Sequence, residues 1–176
     1  ALADDNQVEA AYKVAQEGLG VDEYNQDLFG LAANLALRLQ ENAAAEDYLK
    51  RGLALDPDNQ TLMIQLSNLY VQAHHDVANV DLATQYVQRD QVDPQVYWNL
   101  AVSYVRLEKS EEAQTYYDAA RPYFEDNVDF LKPAFYFYRE QGQPEIAVNL
   151  LRNYLKLQPE DEEMVAALED YEDQGY

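Results

Sequence analysis

Cysteine is absent from this sequence of 176 residues, and basic residues and long apolar runs are scarce. The absence of cysteine excludes disulfide bonds, thiolate metal ligands and a cysteine nucleophile. No stretch approaches the roughly 20 apolar residues of a membrane-spanning helix, so we expect no membrane span. Only 12 residues are Lys or Arg against 33 Asp or Glu, for a net charge of −21. Because this charge repels phosphate groups, we predict no nucleic acid and no membrane among the partners.

Motifs of catalysis and cofactor binding are also missing. The sequence has no glycine-rich phosphate loop, no nucleophile motif and no pair of histidines at helical spacing. The adjacent His74 and His75 diverge from one turn of backbone, and Asp76 alone does not complete a metal site, so we expect a solvated loop there. We therefore predict that the protein is not an enzyme and holds no cofactor and no metal.

A repeat with a period of 34 residues is the strongest signal that the sequence does contain. Bulky apolar residues recur at one position of the unit, at Phe29, Met63, Tyr97 and Leu131. Two further positions give Leu28, Leu62, Val96 and Phe130, and then Ala36, Tyr70, Tyr104 and Tyr138. Repeats of this length indicate stacked units, each of which buries its apolar face against its neighbours.

Each unit has the pattern of two amphipathic helices. In the third unit, apolar residues spaced three and four apart form two stripes, Tyr97, Leu100, Ala101 and Tyr104 and then Ala113, Tyr116, Tyr117 and Ala120. Proline and glycine lie mainly between such runs. The pattern therefore predicts an all-α protein built from helical hairpins.

The units resemble the tetratricopeptide repeat, whose pattern is W-x2-L-G-x2-Y, then A-x3-F, then P, over the same period. The first unit matches at Phe29, Ala32, Ala33, Ala36, Ala45, Leu49 and Pro57. The fourth matches at Leu131, Ala134, Phe135, Tyr138, Ala147, Leu151 and Pro159. The resemblance implies an α-solenoid of antiparallel helical hairpins that winds as a right-handed superhelix.

We predict a single array over residues 1–176. Its parts are the second helix of a truncated preceding repeat at 7–22, four repeats at 26–59, 60–93, 94–127 and 128–161, and a capping helix at 162–174. The leading half-unit suggests that the natural chain continues upstream of Ala1.

Two units depart from the strict pattern, and one pair of residues marks the start of a unit. In the second unit the small residue is Ala83, four residues after the strict position at Asn79, which predicts a longer turn at His74 to Asp76 and a shorter following loop. In the fourth unit, Pro133 and the bulky Phe135 predict a splayed or shifted hairpin. Asp93 and Pro94 predict a helix start, with Asp93 as the cap.

The family resemblance also implies a concave groove, lined by the first helix of each hairpin, that holds an extended peptide or a partner's helix. The candidate groove residues are Asn34, Arg38, Asn68, Gln72, Trp98, Asn99, Arg106, Lys132, Tyr136 and Arg139. The amides of Asn34 and Asn68 could donate to and accept from a peptide backbone. Trp98 is either an exposed anchor in the groove or a filler between the second and third hairpins.

The predicted function is a non-catalytic scaffold that binds a peptide or helix of another protein. With the neighbouring acids Asp27, Asp129 and Glu140 included, the first-helix positions that line this groove hold four basic and three acidic residues. The groove is thus near neutral on an acidic molecule, which favours an apolar or mildly acidic partner segment. Two alternatives stay open: self-association through the open N-terminal half-unit, and a regulatory domain cut from a longer enzyme. We expect a cytoplasmic protein, with an extracytoplasmic location as the alternative.

Overall fold

The computed structural model describes residues 2–89 and 91–176, with side chains from residue 6 onward. The described residues form ten α-helices and one short 3₁₀ turn at Arg121–Tyr123. The α-helices are α1 (Leu2–Val21), α2 (Gln26–Arg38), α3 (Asn42–Leu55), α4 (Gln60–Gln72), α5 (Asp76–Tyr86), α6 (Pro94–Arg106), α7 (Ser110–Ala120), α8 (Val128–Glu140), α9 (Pro144–Leu157) and α10 (Glu162–Asp173).

The helices form two compact units that divide after Asn99. In the first unit, α1 packs on α2, α2 on α3, α3 on α4 and α4 on α5. In the second unit, α8 packs on α9 and α9 on α10. Each unit thus buries its apolar faces between helices that are neighbours in the sequence, as the period predicts.

Small residues let the helices of the first unit approach closely. Ala33, Ala45 and Ser67 are fully buried between larger neighbours. Gly52 on α3 is needed for the same reason, because a Cβ atom there would lie 2.5 Å from Leu62 Cδ1 and 3.1 Å from Phe29 Cβ. The close approach of α3 to α2 and α4 therefore depends on this glycine.

The first helices begin at capping residues that follow the same period. The capping side chains are those of Asn25, Asn59, Asp93, Asn127 and Asp161, and each accepts a hydrogen bond from a backbone N–H in the first turn of its helix. Such a cap satisfies a donor that has no partner within the helix. The helix start predicted at Asp93 and Pro94 is confirmed, since α6 begins at Pro94.

The turns within the hairpins also repeat, each with three residues between its helices. Their central residues adopt left-handed backbone, with φ of 62° at Gln40, 57° at His74, 58° at Glu108 and 67° at Gly142. In each turn the next N–H donates to the carbonyl five residues before it, at 2.8 to 3.0 Å, as in a Schellman motif. Glycine fits this conformation best, yet only one of the four turns has it.

This repeated turn predicts opposite effects for two substitutions. Glu108→Gly should raise the free energy of unfolding by about 1 kcal/mol, and Gly142→Ala should lower it by about 1 kcal/mol, because left-handed backbone strains residues with a Cβ. Urea denaturation followed by circular dichroism measures both. Glu169→Gly, at an exposed position inside α10, is the control and should destabilise by about 1 kcal/mol. Loss of stability in Glu108→Gly would contradict the turn assignment.

The prediction of a longer turn in the second hairpin is wrong. Here α4 ends at Gln72 and α5 begins at Asp76, so the turn has the common length. The following loop is not shortened either: the connection from Tyr86 to Pro94 is as long as the one from Ala120 to Val128, because α5 already ends at Tyr86. The physical reason is that Asn79 itself occupies the small-residue position: it is fully buried and hydrogen-bonded, so no shift to Ala83 is needed.

The prediction of a splayed fourth hairpin is also wrong. Helix α8 continues without a break through Pro133, and it packs on α9 as closely as α2 packs on α3. Phe135 is fully buried, and its ring centre lies 6.4 Å from that of Tyr171 on α10. Pro133 is exposed, so water can satisfy the carbonyl of Asp129 that loses its helical donor. The division of the chain into a half-repeat, four repeats and a cap stays our prediction.

Candidate interaction surface on the first helices

The ten candidate residues divide between the two units. The first unit contains Asn34, Arg38, Asn68, Gln72, Trp98 and Asn99. The second contains Arg106, Lys132, Tyr136 and Arg139. The two sets have different surroundings and are described separately.

Helix α2 presents one polar stripe to solvent. Its buried side holds residues such as Phe29 and Ala33, while Asp27, Leu31, Asn34 and Arg38 are exposed. These four are spaced four, three and four apart, so they lie along one face of the helix. The Asn34 amide makes no hydrogen bond within the described residues. It is therefore available to a ligand as both donor and acceptor.

Helix α4 presents a similar but more enclosed face. Asn68 stands one period after Asn34 and is half-buried, and Gln72 in the last turn is exposed. Asn68 accepts a hydrogen bond from the side chain of Asn99, at 2.7 Å between Nδ2 and Oδ1. Within the described residues its own Nδ2 makes no hydrogen bond. The Asn68 amide is thus oriented through its oxygen, with its two N–H donors left for a ligand.

A buried polar network holds that orientation. Ser67 Oγ donates to Asn79 Oδ1 at 2.6 Å, and Asn79 Nδ2 donates to the backbone carbonyl of Asn99 at 3.1 Å. Asn99 Nδ2 donates to Ser67 Oγ at 2.8 Å as well as to Asn68. Gln95 Nε2 donates to Asn99 Oδ1 at 3.0 Å. The network joins α4, α5 and α6, and it satisfies polar groups that would be costly to bury alone.

The position of Asn99 corrects one sequence prediction. It belongs to the predicted groove set, but only 4% of its surface is exposed. Its side chain has three hydrogen bonds inside the protein, so it positions Asn68 and does not face a ligand. Its neighbour Trp98 is half-buried and already makes contacts within the chain.

The basic candidates of the second unit are engaged by the C-terminal part of the chain. Lys132 Nζ lies 2.9 Å from Asp161 Oδ2 and 3.6 Å from Glu163 Oε2. The Tyr136 hydroxyl donates to the other oxygen of Glu163. The Lys132 ammonium, and after it the Tyr154 hydroxyl, lower the pKa of Asp161 by hydrogen bonding to its charged form. These groups hold α10 against α8 and α9.

The remaining cations of this set lie at the surface. Arg139 is exposed, and its guanidinium lies 4.8 Å from the centre of the Tyr136 ring and 5.4 Å from that of Phe135. Arg106 is exposed at the end of α6. Lys132 and Tyr136 thus already have partners on the C-terminal part of the chain, whereas the NH₂ groups of Asn34 and Asn68 have none within the described residues.

Two kinds of site are absent from the described residues. Within them, no three His, Cys, Asp or Glu side chains come together in a group that could hold a metal ion. In the same part of the chain, no helix combines the length and apolar character needed to cross a membrane.

Comparison with known protein families gives two matches. Residues 94–161 match "YpiA-like, C-terminal tetratricopeptide repeats", and residues 27–59 match "Tetratricopeptide repeat". Together these matches cover more than half of the chain. Proteins of such repeats are generally non-catalytic scaffolds that bind other proteins.

One curated relative is the TPR repeat-containing protein YpiA of Bacillus subtilis (strain 168). It is 32% identical over 166 residues, which are 94% of this chain and 39% of the relative. The chain thus spans about two fifths of the length of that relative.

Solved structures share the fold at low sequence identity. YrrB, described as a TPR protein with an unusual peptide-binding site, has a TM-score of 0.72 at 17% identity, covering 94% of this chain and 86% of its own. MamA (41-end) from Desulfovibrio magneticus RS-1 has a TM-score of 0.75 at 12% identity, covering 88% of each chain. These likenesses confirm the predicted all-α solenoid class.

Proposed function

Because the chain belongs to the tetratricopeptide repeat family, we propose that its first unit binds an extended peptide of another protein along the exposed faces of α2 and α4. The observation that carries this proposal is that the side-chain NH₂ groups of Asn34 and Asn68 make no hydrogen bond within the described residues, one on each of two successive first helices. An extended backbone offers alternating donors and acceptors, which such amides can pair.

Preorganisation makes Asn68 the stronger of the two contacts. Its oxygen is already bonded to Asn99, so binding a peptide carbonyl through Nδ2 costs little further side-chain entropy. Asn34 is exposed and unrestrained, so it loses more freedom when it binds. The peptide backbone is therefore recognised mainly at α4.

The surroundings of the amides indicate the character of the peptide. The stripe on α2 carries one acid, Asp27, and one base, Arg38, so it is close to neutral. Leu31, in the same stripe, is 48% exposed and offers apolar contact. These features favour a peptide with apolar side chains and little net positive charge. The likeness to YrrB, described as having a peptide-binding site, supports a peptide as the ligand class.

Alanine substitutions test the amide contacts. Peptides are first selected on the wild-type protein from a library of random short sequences, and their affinities are then measured by isothermal titration calorimetry. Asn68→Ala should weaken binding about tenfold, because a preorganised hydrogen bond in an interface is worth about 1.4 kcal/mol. Asn34→Ala should weaken it by less.

Asn149→Ala is the matched control, since Asn149 is an exposed asparagine on a second helix, α9. It should leave the affinity unchanged. Circular dichroism should show the same helical content in all three variants. Equal affinity of wild type and Asn68→Ala for every selected peptide would refute the proposed site.

A further inference from the structure

The first unit contains a binding site for a guanidinium group. We name it the Arg89 seat, because the side chain of Arg89 occupies it. Arg89, just after α5, places Nη1 2.8 Å from Asp58 Oδ1 and donates from Nη2 to the carbonyl of Pro57 at 3.1 Å. The guanidinium lies 3.9 Å from the centre of the Tyr86 ring. The seat is therefore made by the loop that precedes α4 together with the end of α5.

The second unit has a carboxylate at the repeat position of Asp58 but no cation at that of Arg89. Two periods further along the chain, Asp126 stands at the position of Asp58, and Leu157 stands at the position of Arg89. The adjacent Glu125 corresponds to Pro57. Within the described residues, neither the Asp126 nor the Glu125 carboxylate forms an ion pair, and both side chains are exposed.

These residues line an open pocket of about 450 Å³, which we name the Asp126 notch. Its lining is Pro122, Tyr123, Glu125, Asp126, Asn153, Lys156 and Leu157. Two apolar side chains in it are unusually open to solvent, with Tyr123 62% and Leu157 40% exposed. The one cation of the lining, Lys156, donates to Asn153 Oδ1 at 2.9 Å.

We propose that the Asp126 notch binds an arginine of a partner protein that is flanked by an apolar residue. In the first unit the carboxylate at this position of the repeat binds a guanidinium, which indicates the class of group that the Asp126 carboxylate would bind. A partner's guanidinium would bond to the Asp126 carboxylate, and its apolar neighbour would cover Tyr123 and Leu157. This surface is formed by the loop before α8 and the end of α9, which are not elements of the proposed peptide site.

Charge also selects this partner. The chain has a net charge of −21, so a basic segment is attracted at long range and a second copy of the chain is repelled. Exposed apolar side chains beside unpaired charges are typical of interaction surfaces. The notch therefore fits a basic and apolar segment of a different protein, in contrast to the near-neutral stripe on α2.

The test uses two small probes, acetyl-Leu-Arg-amide and acetyl-Leu-Gln-amide, titrated into the ¹⁵N-labelled protein at low ionic strength. The arginine probe should shift the backbone amide signals of Tyr123, Asp126 and Leu157, and it should bind at least about threefold tighter than the glutamine probe. In Asp126→Asn the arginine probe should bind no better than the glutamine probe. Asp170→Asn, at an exposed acid on α10, should keep the difference.

A second variant supplies the missing cation within the chain. Leu157→Arg should raise the melting temperature in the presence of Asp126 and not in the Asp126→Asn background, and it should abolish binding of the arginine probe. Equal affinity for both probes in the wild type would overturn the proposal. Arginine binding that survives in Asp126→Asn or in Leu157→Arg would overturn it as well.

Discussion

Asn99→Leu is expected to lower the free energy of unfolding by about 3 kcal/mol, although the substitution keeps the size of the side chain. The reason is the loss of three side-chain hydrogen bonds in a buried network, each with a net value of about 1 kcal/mol. Urea denaturation measures the loss. Trp98, the single tryptophan of the chain, lies beside the network and reports its unfolding by fluorescence.

Two comparisons separate this effect from a general loss of helix. Asn149→Leu, on the exposed face of α9, should change stability by less than about 0.5 kcal/mol. A double-mutant cycle between Ser67→Ala and Asn99→Leu should give a coupling of about 1 kcal/mol, because the two side chains share a hydrogen bond. Additive effects would mean that the network does not act as one structure.

Tyr117→Ala is expected to have a still larger effect, about 4 kcal/mol, in the second unit. Tyr117 is 2% exposed, and its ring centre lies 4.9 Å from that of Phe137, 5.7 Å from that of Phe130 and 6.1 Å from that of Tyr138. Removal of the ring leaves a cavity among three rigid aromatic neighbours, which cannot collapse to fill it. Urea denaturation followed by circular dichroism measures the loss.

Tyr123→Ala is the control for this aromatic core. Tyr123 is 62% exposed at the Asp126 notch, so the loss of its ring should cost less than about 0.5 kcal/mol. A similar loss of stability in the two variants would show that Tyr117 does not have the packing role assigned to it. Burial of these aromatic rings would then not explain the stability of the second unit.

The period of the sequence was sufficient to predict the helical hairpins, because apolar spacing and small residues set how helices pack. The same period also applies to polar positions, beyond the single cap predicted at Asp93. Asn25, Asn59, Asn127 and Asp161 stand at the same position of the repeat as Asp93, and they cap their helices as it does. Aligning the polar positions as well as the apolar ones would have located every first helix.

At Asn79 the sequence predicts a shifted register that the structure does not have. A buried asparagine is costly unless its amide is hydrogen-bonded. By residue type alone, the nearby Ala83 is therefore the better match to the small-residue position of the repeat. The partners that satisfy the Asn79 amide, Ser67 and Asn99, come from other helices. Their distances depend on how three helices pack together, and periodicity along one helix does not specify that arrangement.

The candidate site shows the same limit. Helical spacing is sufficient to place Asn34, Arg38 and Gln72 on exposed faces. It does not show that Asn99 turns inward or that Lys132 is paired with Asp161, since both depend on side chains from elements distant in sequence. Charge counting therefore overestimated the basic groups available to a ligand in the second unit.

The proposed binding surface is tested most directly by the side-chain amide signals of Asn34 and Asn68 in ¹⁵N NMR spectra, recorded while a selected peptide is added. The proposal predicts that the Asn68 NH₂ signals shift most, those of Asn34 shift by less, and those of Asn149 do not move. Saturable peptide binding that leaves both the Asn34 and the Asn68 signals unchanged would contradict it.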